Sequence, residues 1–416
     1  MNSKYIETQL SYSKGWCFGA KSIDDALSSL KQGKPIIVID DESRENEGDL
    51  ILPAESATVE SLAFMIKHTS GIICVGVPED RLETLGLQQM VPNNQDPKQT
   101  AFTVSCDLKT VGTGISAADR CATIKALADP STVSSELNRP GHIFPLRAVK
   151  NGVLVRQGHT EASVDFCRLS GLQPVGVLSE ITNDDGTMAR LPELQVFAKE
   201  HNLVLTSIQD LITYRLSKDN LVECVIPGVP LPTKYGEFTC YSFQSLLDSI
   251  EHPVLVKGVL NGQEPTLVRI HSKCQTGDIF GSLRCDCGDQ LSWAMQTIND
   301  EGLGVIIYLS DQEGRGIGFS NKLKAYELQD QGNDTYQANE ELSLPIDLRN
   351  YRIAAQILSN LGVKNIKLMT NNPDKYNPVC FKEHGLNLHS RIPIIVKPNQ
   401  YSQKYFDAKQ LNGHMV

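Results

Sequence analysis

In the stretch HSKCQTGDIFGSLRCDCGDQ, Cys274, Cys285 and Cys287 lie close together, whereas the other cysteines of the chain are scattered singly. Their spacing, C-x10-C-x-C, suits a zinc ion, for which thiolates are preferred ligands. A structural zinc site closes four ligands, commonly as paired C-x2-C knuckles. A three-ligand site keeps one position for water, whose pKa the metal brings to ~7. Three readings stay open on spacing alone: a hydrolytic zinc, a structural zinc closed by His271, and unrelated core thiols. A zinc deaminase is disfavoured, because Lys273 stands two residues after His271 where the H-x-E element needs a carboxylate, and P-C-x-x-C is absent.

Other stretches carry chemistry of a harder kind. In DDESRENEGD, Glu45, Glu47 and Asp49 alternate, so an extended backbone puts three carboxylates on one side, where they attract Mg²⁺. The plain alternative is a solvated acidic loop. VRQGHTEASVDFC places Arg156, His159 and Thr160 at an expected helix start, with Thr160 as its cap and free N–H groups favouring phosphate. DQEGRGIGFSNKLKAYELQDQG sets Glu313 and Arg315 in a glycine-rich turn that fits neither the dinucleotide fingerprint nor the P-loop. TNNPDK offers a similar turn with Thr370 and Lys375. In Asp347-Leu348-Arg349, the carboxylate can orient the arginine or take a proton, unless the two are a mere surface ion pair.

The elements that must position these groups alternate. SIDDALSSLKQGK reads as a helix capped by Ser22, with Ile23, Ala26, Leu27 and Leu30 on one face and Gly33 as its stop. PIIVID, GIICVGV, VGVLSE and LVLTSI read as strands, and DESRENEGD as an exposed loop. PVLVKGVL, LVRIHS, GVIIYL and NIKLMT follow in a second half, with RNYRIAAQILSNLG as a helix ending at Gly362. The proline-bearing segment SKDNLVECVIPGVPLPTKYGEF reads as a boundary around 217–226. The expected fold class is therefore mixed α/β, in two separate domains, 1–217 and 218–416, each with a mixed sheet flanked by helices.

With 416 residues, 40% of them hydrophobic, the chain supports two or three cores. A net charge of -10 argues against nucleic acid or membrane partners, so any anionic small molecule needs local positive charge. Eleven cysteines without a framework spacing point to reduced thiols, and the expected location is cytoplasmic.

Taken together and in order, HSKCQTGDIFGSLRCDCGDQL, QEGRGIGFSNKLKAYELQDQGNDTYQAN, Asp347-Leu348-Arg349 and TNNPDK resemble GTP cyclohydrolase II from about Leu231 onward. The resemblance implies zinc on Cys274, Cys285 and Cys287, with water attacking GTP to release formate and pyrophosphate. It implies GTP contacts from Arg269, Ile270, His271, Ser272, Lys273, Gln290, Glu313, Gly314, Arg315, Thr335, Thr370 and Lys375. It makes Asp347 a general base, Arg349 the group acting at the α-phosphorus, and Tyr326 a catalytic tyrosine. Because arginine stays protonated, charge stabilisation is the conservative role for Arg349. Two departures stand out: Lys273 replaces the family's usual Glu, and Ser310-Asp311 replaces an Arg ahead of QEGR.

DESRENEGD, HTSGIIC, TGISAADR, RPGHIFPLRA, RQGHTEASVD and ITNDDGTMAR, from about Ser22 to Leu211, resemble 3,4-dihydroxy-2-butanone 4-phosphate synthase. That family turns ribulose 5-phosphate into the four-carbon phosphate and formate with Mg²⁺ or Mn²⁺. The resemblance implies metal ligation by Glu45 and His159, and substrate contacts from Arg44, Glu45, Asp49, Arg156, Gln157, Gly158, His159 and Thr160. It gives essential roles to His142 and Glu180 and an active-site position to Cys74. The implied whole is a fused bifunctional enzyme of riboflavin synthesis, expected as a homodimer. The competing reading keeps both folds but makes the GTP half impaired or regulatory and its zinc structural.

Overall fold

The computed structural model describes residues 15, 17–333, 335–342, 344, 347–372, 375, 379–411 and 413. They fall into two compact units, Lys14–Arg215 and Leu216–Val416.

The first unit is built on a seven-stranded mixed sheet. Its strands are β1 (Ile36–Ile39), β2 (Gly48–Pro53), β3 (Cys74–Pro78), β4 (Cys106–Leu108), β5 (Leu137–Ala148), β6 (Gly176–Glu180) and β7 (Val204–Ser207), in the order β4-β5-β3-β6-β2-β1-β7. Fully apolar IIVI in β1 follows from burial on both faces. Around the sheet lie α1 (Ala20–Lys31), α2 (Val59–His68), α3 (Glu79–Leu85), α4 (Ala117–Ala128), α5 (His159–Leu169), α6 (Leu191–Glu200) and α7 (Ile208–Lys218). Leu62 and Met65 of α2 and Ile124 and Leu127 of α4 pack with Leu50, Val75 and Val177 in the core. The face of α1 is as expected, with Ile23, Ala26, Leu27 and Leu30 buried. Its cap is not: the helix starts at Ala20 after Gly19, and Ser22 instead bonds Gly19 O and Thr206 Oγ1.

Helix α5 is buried throughout its first nine residues. Two glycines on the sheet allow it this close: a Cβ at Gly76 would lie 2.8 Å from Thr160 O, and one at Gly176 2.7 Å from Ser163 O. Its buried acids are paired, Glu161 with Arg156 at 2.6 Å and Asp165 with Arg215 at 2.6 Å, since an unpaired buried carboxylate is strongly destabilising. The start of α5 is thereby pinned against the middle of the sheet, next to β2.

The second unit also has a seven-stranded sheet among the described residues. Its strands are β8 (Val222–Thr233), β9 (Gly236–Ser245), β10 (Glu251–Lys257), β11 (Thr266–Ser272), β12 (Gly304–Leu309), β13 (Asn365–Met369) and β14 (Asn387–Ile392), ordered β14-β13-β11-β12-β10-β9-β8. Strands β14, β13, β11 and β12 run parallel, while β10, β9 and β8 continue antiparallel. Helices are α8 (Gln275–Asp278), α9 (Cys287–Glu301), α10 (Phe319–Asp330), α11 (Thr335–Glu341), α12 (Arg352–Asn360), α13 (Val379–Glu383) and α14 (Gln403–Leu411). Val268 and Ile270 face α12 through Ile357 and Leu358, and Leu267 faces α9 through Ala294 and Ile298. By the two-residue period of a strand, Arg269 and His271 share the α9 face.

The proline-bearing segment that reads as a boundary runs on into a strand. Residues 222–233 form β8, an edge strand with register shifts near Cys224, Ile226 and Val229. Its prolines, which removed any regular period from the sequence, are tolerated because an edge strand leaves N–H positions unpaired.

Candidate active sites

In the first unit, the turn between β1 and β2 is shaped by Asp40, which the sequence reading missed. Its carboxylate accepts from Arg44 Nη1 at 2.8 Å and from the backbone N–H of Glu45 and Glu47 at 3.2 and 2.9 Å. Asn46 takes a left-handed φ of 55°. The backbone turns there, and Glu45 and Asp49 still meet on one side, both facing His159 and lining the same cleft. Glu47 turns to Arg190 at 3.6 Å, while Asp49 is buried within β2, so the acidic stretch is only partly a surface loop. The signal for Asp40 was modest: the first carboxylate after an apolar strand.

Asp40, Glu45 and His159 present ligand atoms within 4.8 Å of one another. His159 opens α5 behind Gly158, which is the cap in place of the expected Thr160. Its Nε2 donates to Val38 O at 3.0 Å, which leaves the Nδ1 lone pair directed at Glu45, 3.9 Å away, and Asp49, 3.5 Å away. Burial lowers the His159 pKa, so the ring is neutral, the form that ligates metals. Burial and the charge of Glu180, with Glu45, Asp40 and Glu47 behind, push Asp49 well above the usual carboxylate range. Asp49 Oδ1 accepts no hydrogen bond. Such crowding of carboxylates calls for a cation.

Arg44, Glu45, Asp49, Cys74, Arg156, His159, Thr160 and Glu180 line one cleft of about 460 Å³. Cys74 is held as a neutral thiol by burial, then by Glu180 and Asp49. Three expected residues are not in the lining. Gln157 and Gly158 lie outside it, and His142 pairs with Asp107 instead, ring Nδ1 to Oδ2 at 2.7 Å and backbone N–H to Oδ1 at 2.8 Å.

In the second unit, the candidate groups gather at the carboxyl ends of parallel β11, β12 and β13, the usual place for a ligand in such sheets. Cys274, Cys285 and Cys287 have sulfurs within 4.8 Å of one another, Cys274 and Cys285 at 3.6 Å. A Cβ at Gly277 would lie 3.1 and 3.2 Å from the sulfurs of Cys285 and Cys274, so any larger residue there would crowd the thiols. Lys322, on α10, reaches Cys274 Sγ at 3.1 Å and Glu313 Oε1 at 2.6 Å. The neighbouring thiols Cys285 and Cys287, followed by Lys322, favour the Cys274 thiolate, and Cys274 in turn holds Cys285 up to about 11.

His271 is not in that cluster. Its Nε2 bonds the Asp278 carboxylate at 3.0 and 3.1 Å, and its Nδ1 lies 3.4 Å from Arg269 Nη2. Asp278 also accepts from Cys274 N–H and Tyr308 OH, each at 2.9 Å, and thus ties β11 and β12 to the first thiol. Neither Asp278 nor Lys322 stood out in the sequence; the i, i+4 spacing of Lys322 and Tyr326 on one helix was the available sign.

A cleft of about 1090 Å³ opens beside the thiols. Arg269, His271, Ser272, Lys273, Gln290, Gly314, Arg315, Tyr326, Arg349, Thr370 and Lys375 line it. With Arg284, Lys322 and Lys409 added, the wall holds, among the described residues, eight Lys or Arg side chains against one acid, Asp286. Burial and the charges of Arg269 and Arg349 pull Lys375 well below the ordinary lysine range, the signature of cations awaiting an anion. Ile270 contributes only its carbonyl, to Lys375 Nζ at 3.0 Å. Glu313 is spent on Lys322 and on Gln275 N–H, and Asp347 on a two-pronged bond from Arg349. Burial raises Asp347, but Arg349 and Arg315 outweigh it and hold the acid below its usual value. The Thr335 side chain lies outside the described residues.

Comparison with known proteins places each unit in a family. Residues 24–214 match the family model of 3,4-dihydroxy-2-butanone 4-phosphate synthase, and residues 223–393 that of GTP cyclohydrolase II. The chain is 52% identical to the chloroplastic bifunctional riboflavin biosynthesis protein of Arabidopsis thaliana, over 95% of this chain and 73% of that one. It is 50% identical to the riboflavin biosynthesis protein RibBA of Bacillus subtilis, over 95% and 98%. The chain belongs to the bifunctional riboflavin biosynthesis enzymes. A two-domain 3,4-dihydroxy-2-butanone 4-phosphate synthase from A. baumannii shares the fold of this bifunctional enzyme, with a TM-score of 0.62 and 32% identity, covering 90% of this chain and 99% of that one. As a riboflavin biosynthesis enzyme, the chain carries a lyase unit followed by a hydrolase unit.

Proposed function

We propose that the first unit converts ribulose 5-phosphate to 3,4-dihydroxy-2-butanone 4-phosphate and formate, with Mg²⁺ or Mn²⁺ held by Glu45 and His159. The second hydrolyses GTP to formate, pyrophosphate and a pyrimidine product, with Zn²⁺ held by Cys274, Cys285 and Cys287. One observation carries the reading: a three-thiol cluster and a cationic wall converge at the carboxyl ends of the parallel strands. The donor sets fit their metals. A neutral imidazole and an orphaned carboxylate oxygen suit a hard cation, and a glycine-floored set of thiols suits zinc.

When bound, the hard cation stabilises negative charge developing on a substrate oxygen, and zinc lowers the pKa of a water. The chain's own residues do the rest. Asp40 fixes the Glu45 turn and the Val38 carbonyl fixes the His159 ring. Arg44, beside Glu45 at 2.5 Å, offers a fork to a substrate oxygen. In the second unit, Arg269, Arg315, Arg349 and Lys375 receive the triphosphate, and Asp347, already ionised, orients Arg349. A homodimer in the cytoplasm belongs to the same proposal, supported by the resemblance and by cysteines that lack a disulfide-framework spacing.

Turnover of ribulose 5-phosphate and of GTP, measured separately with and without chelator, tests the proposal. Ribulose 5-phosphate turnover should vanish with EDTA and return with Mg²⁺; activity unaffected by chelation would refute the metal role. Gly277→Ala should lower zinc content and GTP turnover together while the lyase activity stays. Full zinc occupancy in that variant would show that the thiols do not close around Gly277.

A further inference from the structure

The match to the GTP cyclohydrolase II model ends at residue 393, yet the wall of the cleft does not. Helix α14 lies ten residues further on and packs on α11, whose Asn339 also lines the cleft. Phe406 anchors the helix, 8% exposed, with the Lys409 ammonium 5.7 Å from its ring centre. Lys409 is itself only 7% exposed, and it reaches into the metal-binding loop. Its Nζ lies 2.8 and 3.1 Å from the two carboxylate oxygens of Asp286.

Asp286 is the single residue between two of the thiols, Cys285 and Cys287, and is 3% exposed. Its Oδ2 also accepts from Gln290 Nε2 at 2.6 Å. Gln290 Oε1 in turn accepts from Arg269 Nη2 at 2.6 Å, and Arg269 Nη1 donates to Met369 O at 3.0 Å. One continuous chain of bonds thus runs from the C-terminal helix through the middle of C-x-C to the ends of β11 and β13. The carboxylate of the residue between the two cysteines is gripped by Lys409 and by Gln290. A carboxylate so placed fixes the backbone of Cys285-Asp286-Cys287, and with it the angle at which the two sulfurs converge.

We infer that Lys409 is a positioning residue of the metal site, and that α14 is a structural part of the GTP-hydrolysing centre. The inference rests on the zinc reading of the three cysteines. Lys409 acts through Asp286, not through the substrate. Breaking a buried ion pair by removing one partner leaves the other charge uncompensated, so loss of the ammonium loosens the loop that carries two of the three thiols.

The test uses the full chain and four variants, Lys409→Met, Lys409→Arg, Asp286→Asn, and Asp286→Asn combined with Lys409→Met. Zinc content is measured first, then the rate of zinc transfer to a chromogenic chelator, then kcat and KM for GTP. Formation of 3,4-dihydroxy-2-butanone 4-phosphate serves as the internal control of folding. Groups that orient metal ligands typically change affinity or activity by ~10–100-fold. Lys409→Met should therefore release zinc roughly ten-fold faster or more and lower kcat for GTP, with KM close to wild type and lyase activity intact. Lys409→Arg should restore most of the retention. In the Asp286→Asn background, Lys409→Met should add little, because the two act as one pair. Zinc release at the wild-type rate in Lys409→Met overturns the inference, as does a raised KM with unchanged kcat, which would make Lys409 a substrate contact. A wild-type chain that carries no zinc overturns the metal reading and this inference with it.

Discussion

Cys285→Ser is expected to lose zinc and GTP turnover together, the latter by ~1000-fold or more, while ribulose 5-phosphate is still converted. The size follows from removing the group that makes a nucleophile available at neutral pH, worth several kcal/mol of barrier. His271→Ala gives the contrast. Its ring bonds Asp278 and Arg269 and is not among the clustered thiols, so the variant should keep its zinc and lose GTP turnover by ~10–100-fold through the loosened Asp278. Metal analysis of the two purified proteins separates the cases. If His271→Ala lost zinc as completely as Cys285→Ser, the centre would be a closed Cys₃His site, and hydrolysis through its open position would have to be abandoned.

The second large effect belongs to the lyase unit. Glu45→Gln and His159→Ala should each reduce ribulose 5-phosphate turnover by ~100-fold or more, since they remove metal ligands rather than the groups that orient them. GTP turnover should be untouched, because the two sites lie in separate units. Asp40→Asn should also lower ribulose 5-phosphate turnover, because the N–H groups of Glu45 and Glu47 bond different oxygens of Asp40 and an amide keeps only one acceptor. Raising Mg²⁺ should recover part of the Glu45→Gln loss. Wild-type turnover of Glu45→Gln at limiting Mg²⁺ would take Glu45 out of the ligand set.

What the sequence made legible were the elements with strong periods and the groups with unusual spacing. IIVI, GVIIYL and the helix carrying Ile357 and Leu358 are where their patterns put them, because burial dictates those patterns directly. The three cysteines were conspicuous because thiols rarely cluster without a reason. What stayed hidden depends on neighbours distant in sequence. Asp40 is one carboxylate among many until its contacts to Arg44 and two N–H groups are seen. Lys409 meets Asp286 across 123 residues, a pairing that no local pattern records. The segment holding β8 read only as a boundary and not as a strand, because edge strands are released from the rules that mark central ones. Alternation brought Glu45 and Asp49 to one cleft, but it gave no sign that Glu47 pairs with the distant Arg190.

Asp49 and Glu180 are direct partners across the antiparallel ladder of β2 and β6. Like charges in that position weaken a sheet, so this unit carries a built-in electrostatic strain at its centre. An apolar or hydroxyl pair in that position would spare the sheet this repulsion. Heat resistance of the lyase half is then tied to whatever cation neutralises the pair. By mass action its melting temperature should climb with each increment of free Mg²⁺, so the unfolding transition itself becomes a gauge of the ion.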